Sequence, residues 1–100
     1  MVLGFKNLTK RSQLIKSAFV YILQCNDNSL YTGWTYDVEK RFEQHNNGTG
    51  ARYTRARLPV NIVYFEELSS RSLAQKRECE IKKLTRAEKL KLIQNHVVSL

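Results

Sequence analysis

Apolar and polar positions along this chain change period several times, and each change marks an element. From Ala18 to Cys25 the run is apolar and rich in β-prone residues, which predicts a strand. Asn26-Asp27-Asn28-Ser29 is turn chemistry, and Leu30–Thr35 reads as the second strand of a hairpin. From about Asp37 to Asn46 the spacing is helical. At 100° per residue, Val38, Arg41, Phe42 and His45 share one arc about 100° wide, while Glu39, Lys40, Glu43 and Gln44 lie elsewhere. Asp37 or Thr35 can cap this helix and Gly48 can end it.

Residues 47–59, rich in Gly, Arg and Thr and closed by Pro59, predict a loop. Val60–Glu67 is a third strand. Ser69 or Ser70 starts a helix running to about Leu84, with Leu73, Ala74, Ile81 and Leu84 marking its buried arc. Thr85-Arg86-Ala87-Glu88 is a capping box that starts a final helix, with Leu90, Ile93 and Val97 inward. The order strand, strand, helix, strand, helix, helix predicts an α+β fold. Its sheet is small, mixed or antiparallel, with helices packed on it.

The length of the hairpin turn decides where two tyrosines point, because side chains alternate along a strand. A two-residue turn at Asp27-Asn28 sends Tyr21 and Tyr31 to opposite faces. A three-residue loop, Asn26-Asp27-Asn28, pairs Leu23 with Tyr31 and Tyr21 with Gly33, and puts both phenols on one face. That loop needs its third residue in the left-handed region, which Asn tolerates.

Charge narrows the possible partners. Seventeen Lys and Arg against nine Asp and Glu give a net charge of +8 on 100 residues. Such a surface favours polyanions, nucleic acid first and an anionic membrane surface second. The hydrophobic fraction of 42% supports one folded domain of modest core. No run approaches the roughly 18 apolar residues of a membrane span. Cys25 and Cys79 lack any paired spacing, and only His45 and His96 could join them on zinc, so both read as reduced thiols of a cytoplasmic protein. Residues 1–17 carry Lys6, Lys10, Arg11 and Lys16 and no acid, which reads as a flexible basic arm. The domain is then 18–96, with a tail at 97–100.

Several residues carry candidate chemistry. Arg41 and His45 lie one helical turn apart beside an apolar stripe. An arginine there either snorkels outward or presents planar, permanently charged donors to phosphate. The histidine is either a hydrogen-bonded boundary residue or a reactive group. Glu78 either pairs with Lys82 at i+4 on a solvated face or serves as a ligand, with Glu80 its rival. Arg52, Arg55 and Arg57 can contact phosphates and the Tyr53 ring can stack on an unpaired base, while Trp34 is a further candidate for contact with nucleic acid.

Together, Phe19-Val20-Tyr21, Tyr31-Thr32-Gly33, Arg41 with His45, Gly50-Ala51-Arg52-Tyr53-Thr54 and Arg77-Glu78 before Ile81-Lys82 resemble the GIY-YIG nuclease superfamily. The likeness covers about Ala18 to Ile93 and is to the small stand-alone members. It implies a three-stranded sheet flanked by helices, with a site on one sheet face. It further implies a metal-dependent endonuclease acting on nucleic acid, DNA before RNA, in repair or recombination. Tyr21, Tyr31, Arg41, His45 and Glu78 match the catalytic positions, and Glu78 would hold one divalent metal, Mg²⁺. Phe19 departs from the glycine of the first triplet, and Trp34 stands where some relatives have lysine. A polar residue that some relatives place after the metal glutamate has Asn95 or Gln94 as candidates. The alternatives are a non-catalytic nucleic-acid-binding module of the same fold and an interaction domain in a repair or RNA-processing assembly.

Overall fold

The computed structural model describes residues 16–98. Most of the expected basic arm, and the end of the expected tail, lie outside the described residues. Three strands form one antiparallel sheet: β1 (Ala18–Gln24), β2 (Leu30–Thr35) and β3 (Asn61–Leu68), in the order β2-β1-β3. Four helices are described: α1 (Val38–Asn46), α2 (Arg52–Arg55), α3 (Arg71–Lys82) and α4 (Arg86–Val98). The expected α+β architecture is therefore the observed one.

The hairpin takes the three-residue loop. The Cys25 amide donates to the Ser29 carbonyl at 2.9 Å, and the Asn28 amide donates to the Cys25 carbonyl at 2.8 Å. Asn28 holds φ at 68°, in the left-handed region that asparagine tolerates. The Asp27 carboxylate accepts the Ser29 amide at 3.0 Å and stiffens the turn. Tyr21 lies opposite Gly33 and Leu23 opposite Tyr31, so both tyrosines face one side.

The sheet separates two apolar layers. On one face Ala18, Val20, Ile22 and Tyr64 pack with Ala74 and Ile81 of α3, and Leu84, Leu92 and Ile93 extend the contact. On the other, Tyr21, Leu23, Cys25 and Val60 meet Phe42 of α1, with Tyr31, Leu58 and Ile62 around them. Both cysteines are free thiols, Cys25 buried and Cys79 exposed.

Three of the four described helices start at a side-chain cap. Asp37 accepts the Lys40 amide at 3.0 Å for α1, and Ser70 accepts the Leu73 amide at 3.2 Å for α3. The box ahead of α4 is reciprocal: Thr85 accepts from the Glu88 amide at 3.2 Å, and Glu88 accepts from the Thr85 amide at 2.8 Å.

Three expectations change. Residues 47–59 are not all loop, because Arg52–Arg55 forms a single helical turn too short to show a period. Leu73 is 45% exposed and Leu90 42% exposed, so neither belongs to its helix's covered face. Leu92 packs inward beside Ile93 instead of Leu90; the side chain of Val97 lies outside the described residues.

Candidate active site

Tyr21 rises from the middle of β1 and is 2% exposed. Its ring lies across Gly33 of the neighbouring strand. A Cβ at position 33 would stand 2.6 Å from the phenol oxygen and 2.8 Å from Cζ, so only glycine leaves room for the ring. A second glycine does the same for the histidine: a Cβ at Gly50 would stand 2.5 Å from Nδ1 of His45. Two rings therefore fill space that two missing side chains provide.

His45 is fully buried. Its Nε2 is 2.9 Å from the Tyr21 phenol oxygen, and its Nδ1 is 2.7 Å from Thr54 Oγ1. The Thr54 hydroxyl donates to the Ala51 carbonyl at 3.1 Å, which leaves its lone pairs to accept from Nδ1–H. Nε2 is then the bare acceptor for the Tyr21 hydroxyl. The Ala51 amide approaches Nδ1 at 3.5 Å, too long to compete with the shorter contact. Tyr21, His45, Thr54 and the Ala51 carbonyl thus form one directed chain of hydrogen bonds.

Electrostatics fix the protonation states along that chain. Burial, and then the neighbouring Tyr31, push the Tyr21 phenol well above its ordinary value, while Arg41 pulls the other way and Glu78 adds to the rise. Burial, and then Arg41, push His45 below its ordinary 6.5. At neutral pH the pair is a phenol donating to a neutral imidazole. The depressed histidine has a stability consequence. The unfolded chain binds a proton near pH 6.5 that the folded chain binds only lower. Stability from this group is complete above that value and falls as pH drops toward the folded value. Urea unfolding of wild type against His45→Gln should show the wild type alone losing midpoint in that window; parallel curves would contradict the buried neutral imidazole.

Tyr31 and Tyr53 extend the site outward. Tyr31 lies 6.5 Å from Tyr21 and 5.3 Å from His45, ring centre to ring centre, and stacks on Tyr53 at 6.0 Å. The Arg57 guanidinium sits 3.8 Å over the Tyr53 ring, donates to the Tyr53 carbonyl at 2.9 Å and to Asp27 at 3.1 Å. Arg57 therefore ties the loop before β3 to the hairpin turn. Arg52 and Arg55 are exposed and Tyr53 is 38% exposed, all on the single turn α2 beside this column.

Glu78 comes from α3, with its side chain 19% exposed and Lys82 at 3.2 Å from one carboxylate oxygen. It is near enough to Tyr21 for its charge to act on the phenol. Its rival Glu80 is 51% exposed and turns to Arg77 at 3.2 Å, which also holds Glu66 at 2.9 Å. Glu66 in turn accepts from the Tyr64 hydroxyl at 2.8 Å. This network fastens α3 to β3 through Arg77, which also holds Glu80, and Glu78 is the carboxylate of that helix whose charge acts on the Tyr21 phenol. Among the described residues no cluster of three or more His, Cys, Asp or Glu could chelate a metal. A lone carboxylate such as Glu78 is nonetheless compatible with Mg²⁺, which takes one or two carboxylates and fills its shell with water and other oxygens.

A family model described as the GIY-YIG catalytic domain matches residues 17–91. The chain belongs to the GIY-YIG family. A UPF0213 protein of Clostridium perfringens, CPE1444, is 61% identical over 75 residues, covering 75% of this chain and 81% of that one. Two solution NMR structures share the fold. The UPF0213 protein BH0048 of Bacillus halodurans is 42% identical with a TM-score of 0.52, covering 78% of this chain and 83% of that one. EF2693 of E. faecalis is 41% identical with a TM-score of 0.55, covering 82% and 88%. A domain of nuclease type is thus what the chain carries, and no described helix is long and apolar enough to cross a membrane.

The GIY-YIG triplets acquire physical meaning here. The first tyrosine supplies the buried phenol, the second the ring beside it, and the glycine the space over which the first ring lies. Tyr21, Tyr31, Arg41, His45 and Glu78 are brought together. Trp34 is not: it packs against the opposite layer, edge-on to Tyr36 at 5.2 Å, with Arg71 at 6.0 Å from its ring. Sequence reasoning missed the role of Thr54, which is fully buried. It also missed Asn46, whose side-chain amide pairs both ways with the Val60 backbone at 2.9 and 3.0 Å and closes the intervening segment. The spacing of Thr54 after Gly50 was visible, but nothing in a Thr alone signals a histidine partner.

Proposed function

We propose that this protein is a metal-dependent endonuclease that hydrolyses phosphodiester bonds in nucleic acid, DNA before RNA, in cytoplasmic repair or recombination. One observation carries the reading: four groups converge on the Tyr21 phenol. His45 accepts from it at 2.9 Å, and Tyr31, Arg41 and Glu78 lie close enough to shift its titration. Packing alone needs no such convergence of ionisable groups around one buried oxygen.

The chemistry follows from the protonation states. A free phenolate at Tyr21 is disfavoured, so Tyr21 works as a relay: it takes a proton from the attacking water while its own passes to Nε2 of His45. Thr54 keeps Nδ1 as the protonated nitrogen, so that Nε2 stays ready to accept. Arg41 meets the negative charge that develops on the phosphoryl oxygens. Glu78 would hold the divalent cation, and when bound it supplies Lewis-acid stabilisation of a phosphate oxygen and the leaving group. Arg52 and Arg55 supply exposed cations for the polyanion's backbone.

The non-catalytic alternative draws on one fact, the engagement of Glu78 by Lys82 at 3.2 Å. A panel of end-labelled DNA and RNA substrates (single strand, duplex, flap and junction) incubated with Mg²⁺ or with EDTA separates the two. Cleavage only with Mg²⁺ supports the nuclease; salt-sensitive binding with no cleavage of any member selects the binding module.

A further inference from the structure

A groove of about 400 Å³ opens where β2 ends and α1 begins. Trp34, Tyr36, Asp37, Lys40, Arg41 and Gln44 line it. Asp37 is committed to the helix cap, since its carboxylate accepts the Lys40 amide at 3.0 Å. The remaining groups are two aromatic rings, two cations and one amide. Tyr36 is 39% exposed, and its ring carries Lys16 Nζ at 4.1 Å. Arg41 belongs to both places: it lines this groove and acts on the Tyr21 phenol.

We propose that this groove binds one unpaired nucleotide next to the scissile phosphate, an inference that rests on the nuclease reading. A phosphate held by Arg41 at the tyrosines places its neighbouring nucleotide at the groove's mouth. Trp34 and Tyr36 meet edge to face at 5.2 Å, so one ring offers its face to a base and the other its edge; stacking is irrespective of base identity because every base has a π-face. Gln44 offers a donor and an acceptor to a base edge, and Lys40 a cation to the next phosphate. The volume sits near the lower end of ligand pockets, enough for one base and too small for a base pair with its backbone. A paired base keeps its faces inside the duplex stack, out of reach of these rings. The substrate class is therefore a strand with at least one unpaired nucleotide beside the cut, such as a flap, gap or single strand. On this proposal Trp34 would meet nucleic acid on a different surface from the tyrosines.

Trp34 is the only tryptophan in the chain, so its fluorescence reports this groove directly. The protein in EDTA is titrated with an unstructured single-stranded deoxyoligonucleotide and, separately, with a blunt duplex of equal length. The single strand should quench Trp34 and the duplex should not. Tyr36→Leu and Gln44→Ala, both at surface positions outside the core layers, should each weaken the single-strand titration, the tyrosine change by roughly tenfold. Equal quenching by duplex and single strand would overturn the proposal, as would unchanged single-strand affinity in both variants. A Mg²⁺ arm keeps the two readings apart. Cleavage inside a blunt duplex as fast as beside an unpaired nucleotide overturns the groove and leaves the nuclease standing. No cleavage of any substrate overturns the nuclease, and the quench still decides whether the groove takes an unpaired base.

Discussion

Glu78→Gln protein should fold as wild type does and lose Mg²⁺-dependent cleavage by at least roughly a hundredfold. The substitution keeps the shape of the side chain and removes the charge that holds a hard cation. Its structural cost is small. The partner lost is Lys82, itself 55% exposed at 3.2 Å, and helical ion pairs at i,i+4 contribute only about 0.3–0.5 kcal/mol. Nucleic-acid affinity in EDTA should hold or rise slightly, because an acid near the phosphate is gone. Glu80→Gln is the matched control. Its carboxylate accepts from Arg77 on the side of α3 that faces β3, and Arg77 keeps its shorter bond to Glu66 at 2.9 Å. Cleavage should therefore survive. Folded Glu78→Gln protein with full Mg²⁺-dependent turnover would remove Glu78 from the mechanism. Equal loss in both variants would point instead to the seating of α3.

How much of this site was legible depended on whether a local rule decided each position. Asn28 could be read because few residues accept φ near 68°, and that one fact set the hairpin register and put both phenols on one face. Arg41 and His45 could be read because the arc shared with Phe42 turns them inward. The same alternation that placed Tyr31 and Gly33 over the Tyr21 face also sends Trp34 to the other face, so its displacement was implicit in the pattern. Other features had no local signature. Thr54 lies on a single turn with no period to detect, and its burial depends on a histidine nine residues earlier. Arg57 resembled its neighbours Arg52 and Arg55 in type, yet Asp27, thirty positions away, engages its guanidinium. Leu73 and Leu90 were expected inward because a helical wheel locates an apolar arc and not the part of it that another element covers.

The tyrosines offer the sharpest remaining separation. Composition leaves either one free to be the group that takes the proton from water. The geometry distinguishes them: Tyr21 donates into a directed chain through His45 and Thr54, whereas Tyr31 meets His45 ring against ring at 5.3 Å. Tyr21→Phe should keep its ring over Gly33 and lose cleavage by about 10²–10⁴-fold, the range for a positioned acid–base group. It should also cost stability of about 1–3 kcal/mol, because Nε2 of His45 is left buried without its donor. Tyr31→Phe keeps the contacts of its ring with His45 and Tyr53 and should cost much less in both respects. Paired measurements of turnover and urea unfolding on the two variants decide the matter. If Tyr31→Phe abolishes cleavage while Tyr21→Phe retains it, the proton leaves through Tyr31, and the buried chain behind Tyr21 is scaffolding for the site. Loss in Tyr21→Phe alone, with unfolding shifted only by that modest amount, assigns the proton transfer to the Tyr21–His45 pair.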